Sequence, residues 1–108
     1  MATKTFEITE YKYGFFNGAT YHKKRMVAHL YQNDACIAVA HFHEAPQAPY
    51  TDDHDLIRLF YPMEDFLSFI DMLRNEGPIF LHYDERPQGT QAFLTTSKEL
   101  IGEGEMKD

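Results

Sequence analysis

Two histidines separated by one residue are the clearest candidates for chemistry in this sequence. His41 and His43 end an apolar stretch whose composition is typical of a β-strand. Side chains two positions apart on a strand project from the same face, so the two imidazoles are expected to lie side by side. His54, in the acidic stretch downstream, is the third imidazole that is expected to approach them. The predicted metal site therefore consists of His41, His43 and His54. The alternative function that it supports is a metal- or small-ligand-binding protein or enzyme that uses His41, His43 and the loop at Asp52–Asp55.

The same histidines have a simpler interpretation as partly solvated side chains that bind no ion. The acidic stretch Asp52–Asp55 is too compact for a calcium loop, which needs a longer ligand spacing and a suitable glycine. His29 and Cys36 are predicted to share a sheet face, but no motif around the lone cysteine marks it as a nucleophile. No phosphate-binding glycine loop or hydrolase motif occurs in the sequence. We therefore expect no catalytic residue and no cofactor, which favours a protein that is not an enzyme.

Aromatic and basic residues are interleaved between Tyr11 and Arg25. A single-strand nucleic-acid platform uses rings that stack on bases and Lys or Arg side chains that contact phosphates. The candidate contacts are Tyr11, Tyr13, Tyr21, Lys23, Lys24 and Arg25. The formal net charge is −7, and thirteen of the 17 acidic residues follow residue 45. Because this charge repels nucleic acid and anionic membranes, nucleic-acid binding is the less favoured alternative.

The elements that position these residues are strands in the first half of the chain. Asn17-Gly18 is a strong signal for a two-residue hairpin turn, and Asn33-Asp34 is a weaker one. These turns predict a three-stranded antiparallel meander. With Asn33 and Asp34 as the turn, Leu30 is expected to lie opposite Ile37.

Both faces of the second hairpin carry many apolar side chains, which is unusual for a sheet with one face in water. The small residues Ala38 and Ala40 leave room for a helix on one face. The other face then needs a second cover, most simply another copy of the chain. The residues predicted to form this interface are Met26, Leu30, Ile37 and Val39. The favoured function is accordingly a binding or regulatory protein that acts through protein–protein contacts, either in a homodimer or with another protein.

One amphipathic helix is predicted between residues 63 and 76. Pro62 suits the first turn of a helix, and Gly77-Pro78 suits the end of one. The apolar stripe consists of Phe66, Leu67, Ile70 and Leu73, and it is expected to cover one face of the sheet. Further strands are predicted at residues 56–61, 79–83 and 91–96.

The composition is that of a single globular domain. The chain has 108 residues, of which 44% are hydrophobic and 25% are charged. The sequence predicts an α+β fold, with a mostly antiparallel sheet made of the N-terminal meander and the C-terminal strands. We expect a mobile loop at residues 44–55 and a frayed acidic tail at residues 102–108. The lone cysteine and the lack of a long apolar run or a signal segment favour a cytoplasmic protein without a membrane span.

Overall fold

Two β-sheets and one α-helix make up the fold in the computed structural model, which describes residues 2–15, 26–42 and 47–96. The strands are β1 (Ala2–Ile8), β2 (Glu10–Phe15), β3 (Met26–Gln32), β4 (Ala35–Phe42), β5 (Tyr50–Thr51), β6 (Ile57–Tyr61), β7 (Ile79–Glu85) and β8 (Gln91–Thr95). A short 3-10 helix at Met63–Asp65 leads into α1 (Phe66–Asn75). These elements confirm the α+β class. Among the described residues, no helix is long and apolar enough to cross a membrane.

Thr9 divides the first predicted strand into two strands that enter different sheets. Its amide donates to the carbonyl of Tyr31 at 2.8 Å, and its hydroxyl accepts from the amide of Asn33 at 2.8 Å. β1 continues into a three-stranded antiparallel sheet with the order β1-β7-β8. The prediction of one mostly antiparallel sheet is therefore wrong, because the C-terminal strands pair with β1 and not with the meander.

The second sheet has five strands in the order β2-β3-β4-β6-β5. The strands β2, β3 and β4 form the predicted antiparallel meander. The strand predicted at residues 56–61 is present as β6, but it runs parallel to β4, with Ile57 beside Ala38. β5 then pairs with the outer edge of β6 in the antiparallel direction. The larger sheet is therefore mixed.

The turn between β3 and β4 forms as predicted, but the pairing beyond it is shifted. Asn33 and Asp34 have φ angles of 50° and 75°, as a two-residue hairpin of the favoured type requires. An irregularity between Leu30 and Tyr31 then moves the register by one residue. As a result, Leu30 lies opposite Ala38 and not opposite Ile37.

This shift changes which side chains share a face. Ala28 and Leu30 of β3 lie on the same side of the sheet as Ala38, Ala40 and Phe42 of β4. From Leu30 and Ala38 away from the turn, each strand keeps its own alternation, so the combination of the two strands differs there from the prediction. Next to the turn, Cys36 lies opposite Tyr31. The face that carries Leu30 and Ala38 is the one that packs against α1.

Small residues on this face make room for large rings from the helix. Ala28, Ala38 and Ala40 are completely buried. The ring of Phe42 lies 5.1 Å from that of Phe66 and 5.0 Å from that of Phe69, measured between centroids. Burial of each such ring contributes about 1.5–3 kcal/mol before conformational entropy is counted.

The helix lies close to its predicted bounds, but its buried stripe differs at one position. The buried residues are Phe66, Phe69, Ile70 and Leu73, whereas Leu67 is 79% exposed. The helix ends through extended backbone at Glu76, whose amide donates to the carbonyl of Met72 at 3.0 Å. The predicted Asn17-Gly18 turn, residues 44–46 of the predicted loop and the tail at 102–108 lie outside the described residues.

Candidate functional site

His41 lies on the face of the larger sheet that points away from α1, and it is 5% exposed. Its Nε2 atom is 3.2 Å from the Nη1 atom of Arg58. A guanidinium can only donate, so this imidazole nitrogen acts as the acceptor. A metal ion bound to the same nitrogen would meet the positive charge of Arg58. The surroundings of His41 therefore do not favour the predicted metal site, and His43 lies outside the described residues.

His54 lies in the exposed turn between β5 and β6, beside two carboxylates. The potential ligand atoms of Asp52, Asp53 and His54 are within 4.8 Å of one another. However, one oxygen of Asp52 accepts from the amides of His54 and Leu56, at 2.9 and 3.0 Å. The other oxygen accepts from Nε of Arg58 at 3.0 Å. These bonds, that from the Leu56 amide above all, hold the pKa of Asp52 below its ordinary value, and they give this carboxylate a structural role in the turn.

Arg58 connects this turn to the centre of the sheet. It binds Asp52 on one side and His41 on the other. The imidazole of His41 stacks on the ring of Phe60 with centroids 5.2 Å apart, and Tyr50 stacks on the same ring at 5.8 Å. The network thereby joins β4, β6 and β5.

Cys36 and His29 come together as predicted from their shared face. The sulfur lies 3.9 Å from Nδ1 of His29 and 3.6 Å from the carbonyl of Ala38. Burial raises the pKa of the Cys36 thiol. Because a thiolate is the reactive form, this environment does not activate the cysteine as a nucleophile.

The proposed nucleic-acid residues are divided between the two faces of β2. The rings of Tyr11 and Tyr13 lie on the side of α1, and Tyr13 contacts Phe66 with centroids 5.8 Å apart. Lys12 lies on the opposite face, with its Nζ 5.2 Å from the centroid of the Tyr31 ring. The rings and the cation therefore do not form one surface. The other candidates, Tyr21, Lys23, Lys24 and Arg25, lie outside the described residues.

The four residues predicted to form an interface do not share an exposed face. Leu30 is completely buried and faces α1, while Val39 is 2% exposed and pairs with His29 on the other side of the sheet. Met26 and Ile37 are half-buried against the core. The register shift between β3 and β4 separates these residues, so they do not form one exposed surface within this fold. The homodimer itself stays a prediction.

An exposed apolar surface is found instead where β2 meets the beginning of α1. Within the described residues, β2 is an edge strand that pairs with β3 alone. Tyr13 is 45% exposed and Phe15 is 69% exposed, although both rings contact Phe66. Leu67, the next residue of the helix, is 79% exposed. We call Tyr13, Phe15 and Leu67 the β2 rim.

A groove of about 390 Å³ lies at the other end of β2. Its apolar walls are formed by Ile8, Tyr11, Leu73, Pro78 and Ile79. The polar residues Thr9, Glu10 and Glu76 also line it. Since the start of α1 contacts the end of β2 and the end of α1 borders its beginning, the helix runs antiparallel along the edge strand. We call this space the β2–α1 groove.

Sequence reasoning noticed the aromatic residues of β2 but not the helix beside them. Tyr11, Tyr13 and Phe15 occur at every second position, which is the signal of a strand with one aromatic face. Only the position of α1 shows that this face borders a groove and leaves Phe15 exposed. No family model, curated protein or solved structure matches this chain, so the argument for function starts from this geometry.

Proposed function

We propose that this protein binds an extended segment of another protein, which adds as a further strand to the open edge of β2. The observation that carries this proposal is an edge strand whose aromatic side chains, Tyr13 and Phe15, are 45% and 69% exposed beside a helix. The proposal keeps the class of function that the sequence favours, a protein that acts through protein–protein contacts. It moves the contact surface from the hairpin face to the β2 rim.

The backbone of an edge strand supplies the affinity in this mode of binding. Its outer row of N–H and C=O groups is already held in the extended conformation that a partner strand requires. β2 has six residues, so the bound segment would be about 20 Å long. No proline interrupts this row of donors and acceptors between Glu10 and Phe15.

The side chains of the bound segment supply the specificity. Every second side chain of an added strand points toward α1, where it meets the β2 rim. Phe15 and Leu67 offer apolar area there that is not used by the core. The segment is therefore expected to carry an apolar residue opposite this end of β2, where its burial displaces water from both surfaces.

A second copy of this chain fits the surface less well than a different protein does. Glu76 lines the groove at the beginning of β2, and none of the described lining residues is basic. If β2 paired with itself, the side chains brought to the α1 side would be Tyr11, Tyr13 and Phe15, none of which is basic. Charge complementarity thus favours a segment with a basic residue over another β2 strand.

Selection from a phage library of random linear dodecapeptides tests the proposal. We expect peptides that bind the wild-type protein and bind Phe15→Ser and Leu67→Ser at least about tenfold more weakly, because each change removes exposed apolar contact area. Phe93→Ser is the matched control, since Phe93 is 43% exposed but lies on β8 of the other sheet. Unfolding of all variants in urea checks that the fold is intact.

Two results would overturn the proposal. One is a library that yields no peptide, or only peptides that bind Phe15→Ser as well as wild type. The other is a solution mass near twice the 12.6 kDa of the chain that Phe15→Ser reduces to one copy, because the edge would then hold a second copy. Light scattering after size exclusion measures this mass.

A further inference from the structure

We infer that the β2–α1 groove receives a lysine or arginine side chain of the bound segment, which therefore needs this basic residue at an even spacing from its apolar residue. The inference rests on the proposed function, since strand addition is what brings the side chain to the groove.

The size and the walls of the groove fit a long basic side chain. Its volume of about 390 Å³ is within the ordinary range of small-ligand pockets. Leu73, Pro78 and Ile79 offer apolar surface along it. The methylene stem of lysine or arginine packs on such surface while the charged end stays near polar groups and water.

The electrostatics of the groove favour a positive charge. Glu76 lines it, and none of the described lining residues is basic. α1 ends at Asn75, so the partially negative carbonyl end of the helix is directed to the same place. Tyr11 adds an aromatic ring on which a cation is stabilised. A bound carboxylate would be repelled by each of these groups.

The alternation of β2 sets the spacing in the bound segment. Tyr11 lines the groove, while Tyr13 and Phe15 of the β2 rim are two and four residues further along the same face. Partner residues opposite these positions are likewise two or four residues apart. A spacing of three would turn one of the two side chains away from α1.

Blocked heptapeptides of threonine test this inference directly. The first carries lysine at its second position and leucine at its sixth. The second replaces the lysine with norleucine, and the third moves the lysine to the third position. In titrations followed by amide NMR shifts, we expect the first peptide to bind about tenfold more tightly than either of the others.

Charge-removing variants connect this preference to the groove. In Glu76→Gln most of the advantage of lysine over norleucine is expected to disappear, while the norleucine peptide binds as before. Glu64→Gln is the matched control, because it removes an exposed carboxylate just before the opposite end of α1 and should keep the advantage.

The outcomes separate this inference from the proposed function. Equal binding of the lysine and norleucine peptides, with shifts along β2, would overturn the groove's role and leave strand addition standing. An advantage of lysine that is undiminished in Glu76→Gln would also overturn it. If none of the three peptides binds, the inference fails, and the library selection decides strand addition separately.

Discussion

Arg58 forms hydrogen bonds with two of the side chains that the sequence suggests as metal ligands. His41 and Asp52 belong to the two stretches that suggest a metal site, but both bond to this guanidinium. The sequence gives no signal for this contact, because Arg58 is distant from His41 along the chain and is brought beside it by the parallel pairing of β4 and β6. Residue types and short spacings identified the candidate metal ligands, but the pairing of β4 with β6 determined which side chains they contact.

The raised pKa of Tyr61 makes the stability of the protein depend on pH in the alkaline range. Burial, together with the negative charge of Asp65, raises the pKa of its hydroxyl to about 12. An unfolded chain releases this proton near pH 10, so between pH 10 and 12 the unfolded state binds fewer protons than the folded state and stability falls as the pH rises. Two pKa units correspond to about 3 kcal/mol.

Comparison with Tyr61→Phe isolates this contribution from other titrating groups. The free energy of unfolding of the wild type, minus that of Tyr61→Phe, is expected to fall by about 2–3 kcal/mol between pH 9 and pH 12. Urea unfolding at fixed pH values measures both proteins. A difference that stays constant across this range would contradict the raised pKa of Tyr61.

At the scale of elements, the sequence predicted those features that depend on interactions between neighbouring residues. The helix between Pro62 and Gly77 and the turn at Asn33-Asp34 depend on neighbouring residues, and both are present. The division of the first strand at Thr9 depends on bonds to Tyr31 and Asn33, which are far away in sequence. The register shift at Leu30 likewise has no local signal, and it changed which residues of β3 and β4 share the face toward α1.

The buried stripe of α1 can be tested with a pair of matched substitutions. Ile70 is 3% exposed and belongs to the core, so Ile70→Ala should reduce the free energy of unfolding by about 2–4 kcal/mol. Leu67 is 79% exposed, so Leu67→Ala should change it by less than about 0.5 kcal/mol. If urea unfolding shows a similar loss of stability in both variants, Leu67 is buried as the sequence predicted, and the observed stripe is contradicted.

At the scale of the whole molecule, one core holds the two sheets and the helix together. Leu81 and Tyr83 of the smaller sheet belong to the same buried cluster as Leu30 of the larger sheet and Phe69 of α1. Ile8, just before Thr9, belongs to this cluster and also lines the β2–α1 groove. The bend at Thr9 therefore both joins the sheets and forms one end of the proposed binding surface.

The residues of the candidate site could be predicted from the sequence, but their arrangement could not. The sequence shows the alternating aromatic residues of β2, the apolar stripe of the helix and the acidic Glu76 beyond it. It does not show that α1 lies antiparallel along β2, because that arrangement depends on the packing of Phe66, Phe69 and Phe42. The surface exists only once this packing has placed helix and edge strand side by side.

Amide hydrogen exchange along β2, with and without a saturating selected peptide, is the most direct test of strand addition. In the free protein, the amides of β2 that do not bond to β3 should exchange as exposed groups. With the peptide bound, we expect alternate amides between Glu10 and Phe15 to exchange at least about tenfold more slowly, while those of β8 are unchanged. Protection that appears on β8 or on the face around Arg58, with β2 unaffected, would contradict the account.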